Sequence, residues 1–270
     1  MVVGSGSGTV DMKVFFRQMG ALIKLSFLEL WRRNDIFGLL ILGFALMVPL
    51  SLASPFGASG ASRYLDEMAL LLIWGFSLFI ALGAGQRLFP PEFDSRTIYP
   101  LLAKPISRGR LLVGKYLGAV CASWSALAFF YVLFVGSVLL RGGGFAAELP
   151  QAIILHFAFV ALAVSVSLLG SLLMTASANL TLSSVVLVGM FFFGRRLPVY
   201  ADSVSGVLRS LVRALYVFAP HTEFFDMRQR LIHGWGAVEP LVFIVVIAYA
   251  LVYVSLLLGA AAMVLKRKKL

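Results

Sequence analysis

Apolar residues in this chain come in long runs separated by short polar or proline-containing stretches, and the lengths of the runs point to a fold class. Six runs approach the roughly 20 residues that a helix needs to cross the hydrocarbon of a bilayer. They predict spans at about 35–53, 66–86, 112–140, 150–173, 177–194 and 240–264. Helix is the default for each, because lipid offers no partner to a free N–H or C=O. The third run is long enough to be tilted or to begin before the membrane.

The stretches between the runs carry patterns of their own. Over 12–33, Phe16, Met19, Ile23, Phe27 and Leu30 recur at helical spacing, with Lys13, Arg17 and Lys24 on another side. This predicts an amphipathic helix in the headgroup region, anchored at its end by Trp31, Arg32 and Arg33. Residues 1–11 are rich in Gly and Ser and read as a flexible leader or tag. In 195–238, Val204, Val207, Leu208, Leu211, Val212 and Leu215 make a second apolar stripe, with Arg209 and Arg213 opposite. Thr222 is placed to cap a short helix running to about Gly234.

Composition turns these patterns into an integral membrane protein. Hydrophobic residues make up 60% of the 270 and charged residues only 13%, against roughly 45–50% and 25% in soluble domains. The net charge of +11 would suggest nucleic acid on a soluble protein. Here the basic residues flank the apolar runs, no soluble basic module is present, and nucleic-acid binding is excluded. Six spans put both termini on one side. That side holds fifteen Lys and Arg and the other holds eight, so the positive-inside rule places the termini and the 87–110 segment in the cytoplasm. Six of the eight lie in 195–238, which leaves an extracytoplasmic or a re-entrant path open for that segment. Cys121 is the only cysteine, so neither an internal disulfide nor a thiolate metal site can form.

Candidate chemistry is sparse. Neither HExxH nor GxSxG occurs, and no catalytic or metal-ligating set is predicted. His156 is alone in the fourth span and reads as a hydrogen-bonded packing residue. The stretch from Gly109 to Lys115 satisfies GxxxxGK, but Tyr116 stands where a phosphate loop needs Ser or Thr, and no strand precedes it. Gly114, Gly118, Ala122 and Ala126 recur every four residues and predict a small-residue stripe for close helix packing.

The most informative stretch is 87–110, RLFPPEFDSRTIYPLLAKPISRGR. Pro90 and Pro91 break the second span, Pro100 and Pro105 bracket later breaks, and Ser107 is placed to cap the third span. Glu92 and Asp94 fall where a new helix would begin, at its positive end. A short helix at roughly 92–103, pinned between two spans, is the expectation.

Here the chain resembles the membrane subunits of the second type of ABC exporter. That family carries an acidic stretch, a Ser/Gly-Thr step, a leucine-rich turn, a Pro-x-Ser-Arg and a Gly-Lys entering the third span. The counterparts are Glu92 to Asp94, Arg96-Thr97, Leu101-Leu102, Pro105 to Arg108, and Gly114-Lys115. Arg96 stands where the family has Gly before Thr. RTIYPLLAKPISR is most similar to the branch of permeases associated with multicopper-enzyme maturation. The resemblance covers nearly the whole chain after Met12. It implies an all-α permease of six spans, with an N-terminal interfacial helix, a cytoplasmic coupling helix at 92–103 and an extracytoplasmic helical excursion before the last span.

It further implies that Glu92, Phe93, Asp94, Ser95, Arg96, Thr97, Ile98 and Tyr99 contact a separate ATPase subunit. Two ATPases and two permease copies, identical or related, would form the working unit in a prokaryotic plasma membrane. ATP and Mg2+ would be bound by the ATPase, with no cofactor in this chain. Membrane lipid and an accessory extracytoplasmic protein complete the expected partners. Two alternatives share part of this pattern. A stand-alone secondary transporter would want ionisable residues in mid-span, where only His156 qualifies. An ABC-like assembly that transmits force without moving cargo would look the same in sequence. The spans lack a charged pore lining, which favours apolar, lipid-linked or small neutral cargo.

Overall fold

The computed structural model describes residues 7–32, 34–52, 61–89, 107–142, 144 and 147–267, and every regular element among them is helical. In chain order these are α1 (Ser7–Trp31), α2 (Asn34–Leu52), α3 (Ala61–Gln86), α4 (Arg108–Leu140), α5 (Leu149–Leu173) and α6 (Ala176–Phe193). A 3₁₀ turn at Gly194–Arg196 leads into α7 (Leu197–Ser203) and α8 (Gly206–Phe218). A second 3₁₀ turn, Thr222–Phe225, precedes α9 (Arg228–His233) and α10 (Pro240–Arg267).

Among the described residues, five helical stretches are long and apolar enough to cross a membrane: Arg63–Gln86, Arg108–Leu140, Leu149–Leu173, Ala176–Ser203 and Pro240–Arg267. The apolar part of α2, Ile36–Pro49, is shorter. Composition dictates both the helices and their uniform apolarity, since each must satisfy its own backbone in lipid. Ser107 caps α4, its Oγ accepting from the Arg110 N–H at 3.3 Å. Pro150 falls in the first turn of α5, where its missing N–H costs nothing.

Three segments depart from the sequence expectations. First, α1 begins at Ser7, inside the stretch expected to be a leader. Among the residues of α1 whose burial is described, Leu22, Ser26 and Leu30 are buried and Phe16 is exposed. Second, Val204 lies outside α8, which starts at Gly206 after an extended Ser205. Third, 222–233 is not one helix. Phe225 and Met227 turn inward and are buried, and that inward step separates the 3₁₀ turn from α9.

α4 is central: α1 runs along one flank, and α2, α3 and α5 pack on it. α3 also packs on α5, which carries α10 on another face. The core between α3, α5 and α6 is aromatic, with Trp74 stacked on Phe159 at 5.3 Å and on Phe191 at 3.7 Å between ring centroids. The bundle has two distinct ends. At the connection end, the last residues of α3 and α10 meet the first turns of α4. At the cap end, residues 194–239 fold over the other ends of the same helices. Gln151 ties α5 to this cap, accepting from the Val238 N–H at 2.7 Å and donating to its carbonyl at 3.1 Å.

Candidate functional site

The expected ATPase-contact residues Glu92 to Tyr99 lie outside the described residues. Their frame does not. Lys115, on the second turn of α4, is buried, and its Nζ donates to the Leu88 carbonyl at 2.7 Å. The same ammonium sits 5.2 Å from the centroid of the Phe89 ring. A buried cation is tolerable only with such partners. The contact holds the chain leaving α3 against the start of α4. Arg108 extends the frame to the last helix: its guanidinium donates to the Leu265 carbonyl at 3.1 Å and the Lys266 carbonyl at 3.4 Å. Those carbonyls belong to the final turn of α10, which has no intrahelical donors for them.

The GxxxxGK stretch is helical throughout, from Arg108 through Tyr116, where a phosphate loop would wrap its ligand in non-helical backbone. Its glycines have another place in the structure. A Cβ on Gly114 would fall 2.8 Å from Leu22 Cβ, and one on Gly118 would fall 2.5 Å from Ser26 Cβ and 2.9 Å from the Ile23 carbonyl oxygen. α1 and α4 pack closely at these two residues, backbone against backbone at Gly118. Ala122 and Ala126 lie further along the same stripe of α4, fully buried.

A second polar site sits inside the bundle. His156 of α5 contacts Ser77 of α3 through Nε2 at 2.8 Å and Tyr131 of α4 through Nδ1 at 3.0 Å. Ser77 Oγ gives its one proton to the Trp74 carbonyl at 3.0 Å. The Nε2 contact is therefore an imidazole N–H donating to Ser77, and Nδ1 accepts the Tyr131 O–H. Both ring nitrogens of a neutral imidazole are satisfied, and three helices are joined. Beside the ring lies a cavity of about 20 Å³, closed from the cap by Asp226 and Arg228, large enough for about one water. Arg228 Nε and a terminal NH2 donate to the two Asp226 oxygens at 3.0 and 3.1 Å. The guanidinium carbon lies 4.7 Å from the Phe191 ring centroid. The charges facing the cavity thus form a mutually compensated pair.

Toward the connection end, Asn179 of α6 donates to the Ser167 carbonyl at 2.8 Å and accepts from Ser183 at 3.0 Å. Ser167 Oγ in turn donates to the Leu82 carbonyl of α3 at 2.8 Å. Sequence reading singled out His156 and missed its partners and this second network. The available signal was physical: a polar side chain in an apolar run must find a partner in another run, and Ser77, Tyr131, Ser167 and Asn179 are such residues.

These features describe a multi-pass helical bundle with internal polar joints and a framed connection between α3 and α4. A comparison with curated proteins finds no match. The family of ABC-2 family transporter proteins, by contrast, matches residues 22–195, more than half of the chain and the whole of the framed connection, so this membrane protein belongs to the ABC-2 transporter family.

Proposed function

We propose that the chain is the membrane-spanning subunit of an ABC exporter and that a separate ATPase drives it through a coupling helix at 92–103. The observation that carries this reading is the family match over 22–195, which includes 92–103. The frame around that segment supports it. With Lys115 on the Leu88 carbonyl and Arg108 on the end of α10, a push at the segment reaches α3, α4 and α10 together. In this reading α2 is the first of six spans. The termini and 87–110 are cytoplasmic, with the larger share of Lys and Arg. α1 and α8 lie at the membrane interfaces, and 195–238 shapes the outer gate. The working unit holds two copies of the permease and two of the ATPase, and ATP and Mg2+ bind in the latter. The multicopper-maturation branch belongs to the same proposal, on the motif over 96–108 alone.

Charge reversal tests it. Glu92→Lys, Asp94→Lys and Arg96→Glu are each expected to reduce co-purification of the ATPase subunit and its stimulation by the permease. Binding and stimulation at the level of the unaltered chain would remove the coupling assignment.

A further inference from the structure

At the cap end, a cavity of about 230 Å³ opens between the cap and α10. Its polar wall includes Arg195, Arg230, Glu223 and Asp226, and its apolar wall includes Val242 and Val246. Asp226 is committed to Arg228 through both oxygens. The other three polar groups hold unused capacity. Arg195 lies in the 3₁₀ turn after α6, is exposed, and has no acidic partner among the described residues. Arg230 donates once, to the Gly236 carbonyl at 3.4 Å.

Glu223 is 4% exposed. Its Oε1 pairs with His221 Nδ1 at 3.1 Å, and its Oε2 has no hydrogen-bond partner. Its position is built rather than incidental: a Cβ on Gly194 would fall 2.5 Å from the carboxylate, so glycine there makes the room. An unpartnered buried carboxylate oxygen carries its full desolvation penalty. It is relieved by a ligand that brings a donor.

We propose that this cavity binds the head group of a phospho-amphiphile. The two guanidiniums take the phosphate, for which their planar forks are suited. Glu223 Oε2 accepts an N–H or O–H from the same head group, and the tail runs outward along Val242 and Val246 of α10. Two cations, one open acceptor and an apolar flank match a molecule with one anionic group, one donor and a hydrocarbon chain. Free phosphate shares the anionic chemistry but uses neither the donor site nor the apolar wall. The inference rests on membrane embedding and is independent of whether 92–103 meets an ATPase.

The test uses the purified chain in nanodiscs, with retained lipid measured by native mass spectrometry. Discs contain phosphatidylethanolamine, whose ammonium can donate, or phosphatidylcholine, whose quaternary nitrogen cannot. Retention of phosphatidylethanolamine is expected to exceed that of phosphatidylcholine by about tenfold, the scale of one charge-assisted bond. Arg195→Gln with Arg230→Gln should abolish retention of both lipids. Glu223→Gln should remove the preference between them while leaving phosphate-dependent retention in place. Monodisperse elution of each variant establishes that it folds. Equal retention by the arginine variant and the unaltered chain would overturn the proposal. So would equal retention of the two lipids, and so would displacement of lipid by millimolar inorganic phosphate, which would reassign the cavity to a free anion.

Discussion

Removing the Tyr131 hydroxyl leaves His156 Nδ1 buried without its donor, while Nε2 keeps Ser77. Tyr131→Phe is therefore expected to destabilise the protein by about 1–3 kcal/mol, read as a lower unfolding midpoint in detergent. Changing His156 and Tyr131 together to Phe should recover part of that loss, because no unpaired polar group remains and the site lies among Trp74 and Phe159. An unchanged midpoint for Tyr131→Phe would refute the hydrogen-bond chain. The sequence read His156 as a packing residue. It could not name the partners, which lie 25 and 79 positions away.

Between elements, α1 and α4 approach closely at Gly118. Apolar area adds little to helix association in lipid, where tails are as apolar as side chains, so close contact carries more of it. Gly118→Ala is expected to cost about 1–3 kcal/mol through overpacking, measurable by the same unfolding assay. Ser26→Gly in that background should restore only part, because the Ile23 carbonyl is also 2.9 Å from the new methyl. Full retention of stability in Gly118→Ala would show that α1 is free to move away. The helices themselves were legible, since run length and polar breaks mark them, and Ser107 was legible as a cap from its place before Arg108. The cap was not. Asp202 of α7 takes both Arg209 and Arg213 of α8 at 3.0 Å, a pairing across a bend that no periodicity announces. The break between Phe225 and Arg228 depends on which aromatic surfaces receive Phe225, a tertiary fact. The expected contact residues Glu92 to Tyr99 rest on resemblance to a family motif and lie outside the described residues.

For the whole molecule, the frame predicts a separation of binding from response. Lys115→Met removes the donor to the Leu88 carbonyl and leaves the sequence of 92–103 unaltered. In the proposed complex, the ATPase subunit should co-purify at its usual level while its stimulation falls, measured as phosphate release after reconstitution. Normal stimulation would mean that α3 and α4 need no joint at this point. The same contact bears on how costly recognition is. Bringing the ends of a flexible segment together costs entropy that grows with the logarithm of its length, roughly (3/2)RT ln n. With Leu88 and Lys115 already joined, that cost is met when the protein folds, and in the proposed coupling an ATPase that docks on 92–103 meets a segment whose flanks are already held together. Lengthening the sequence between them by a few residues would then weaken docking only slightly, whereas cutting it at one end would return the whole closure cost to the binding step.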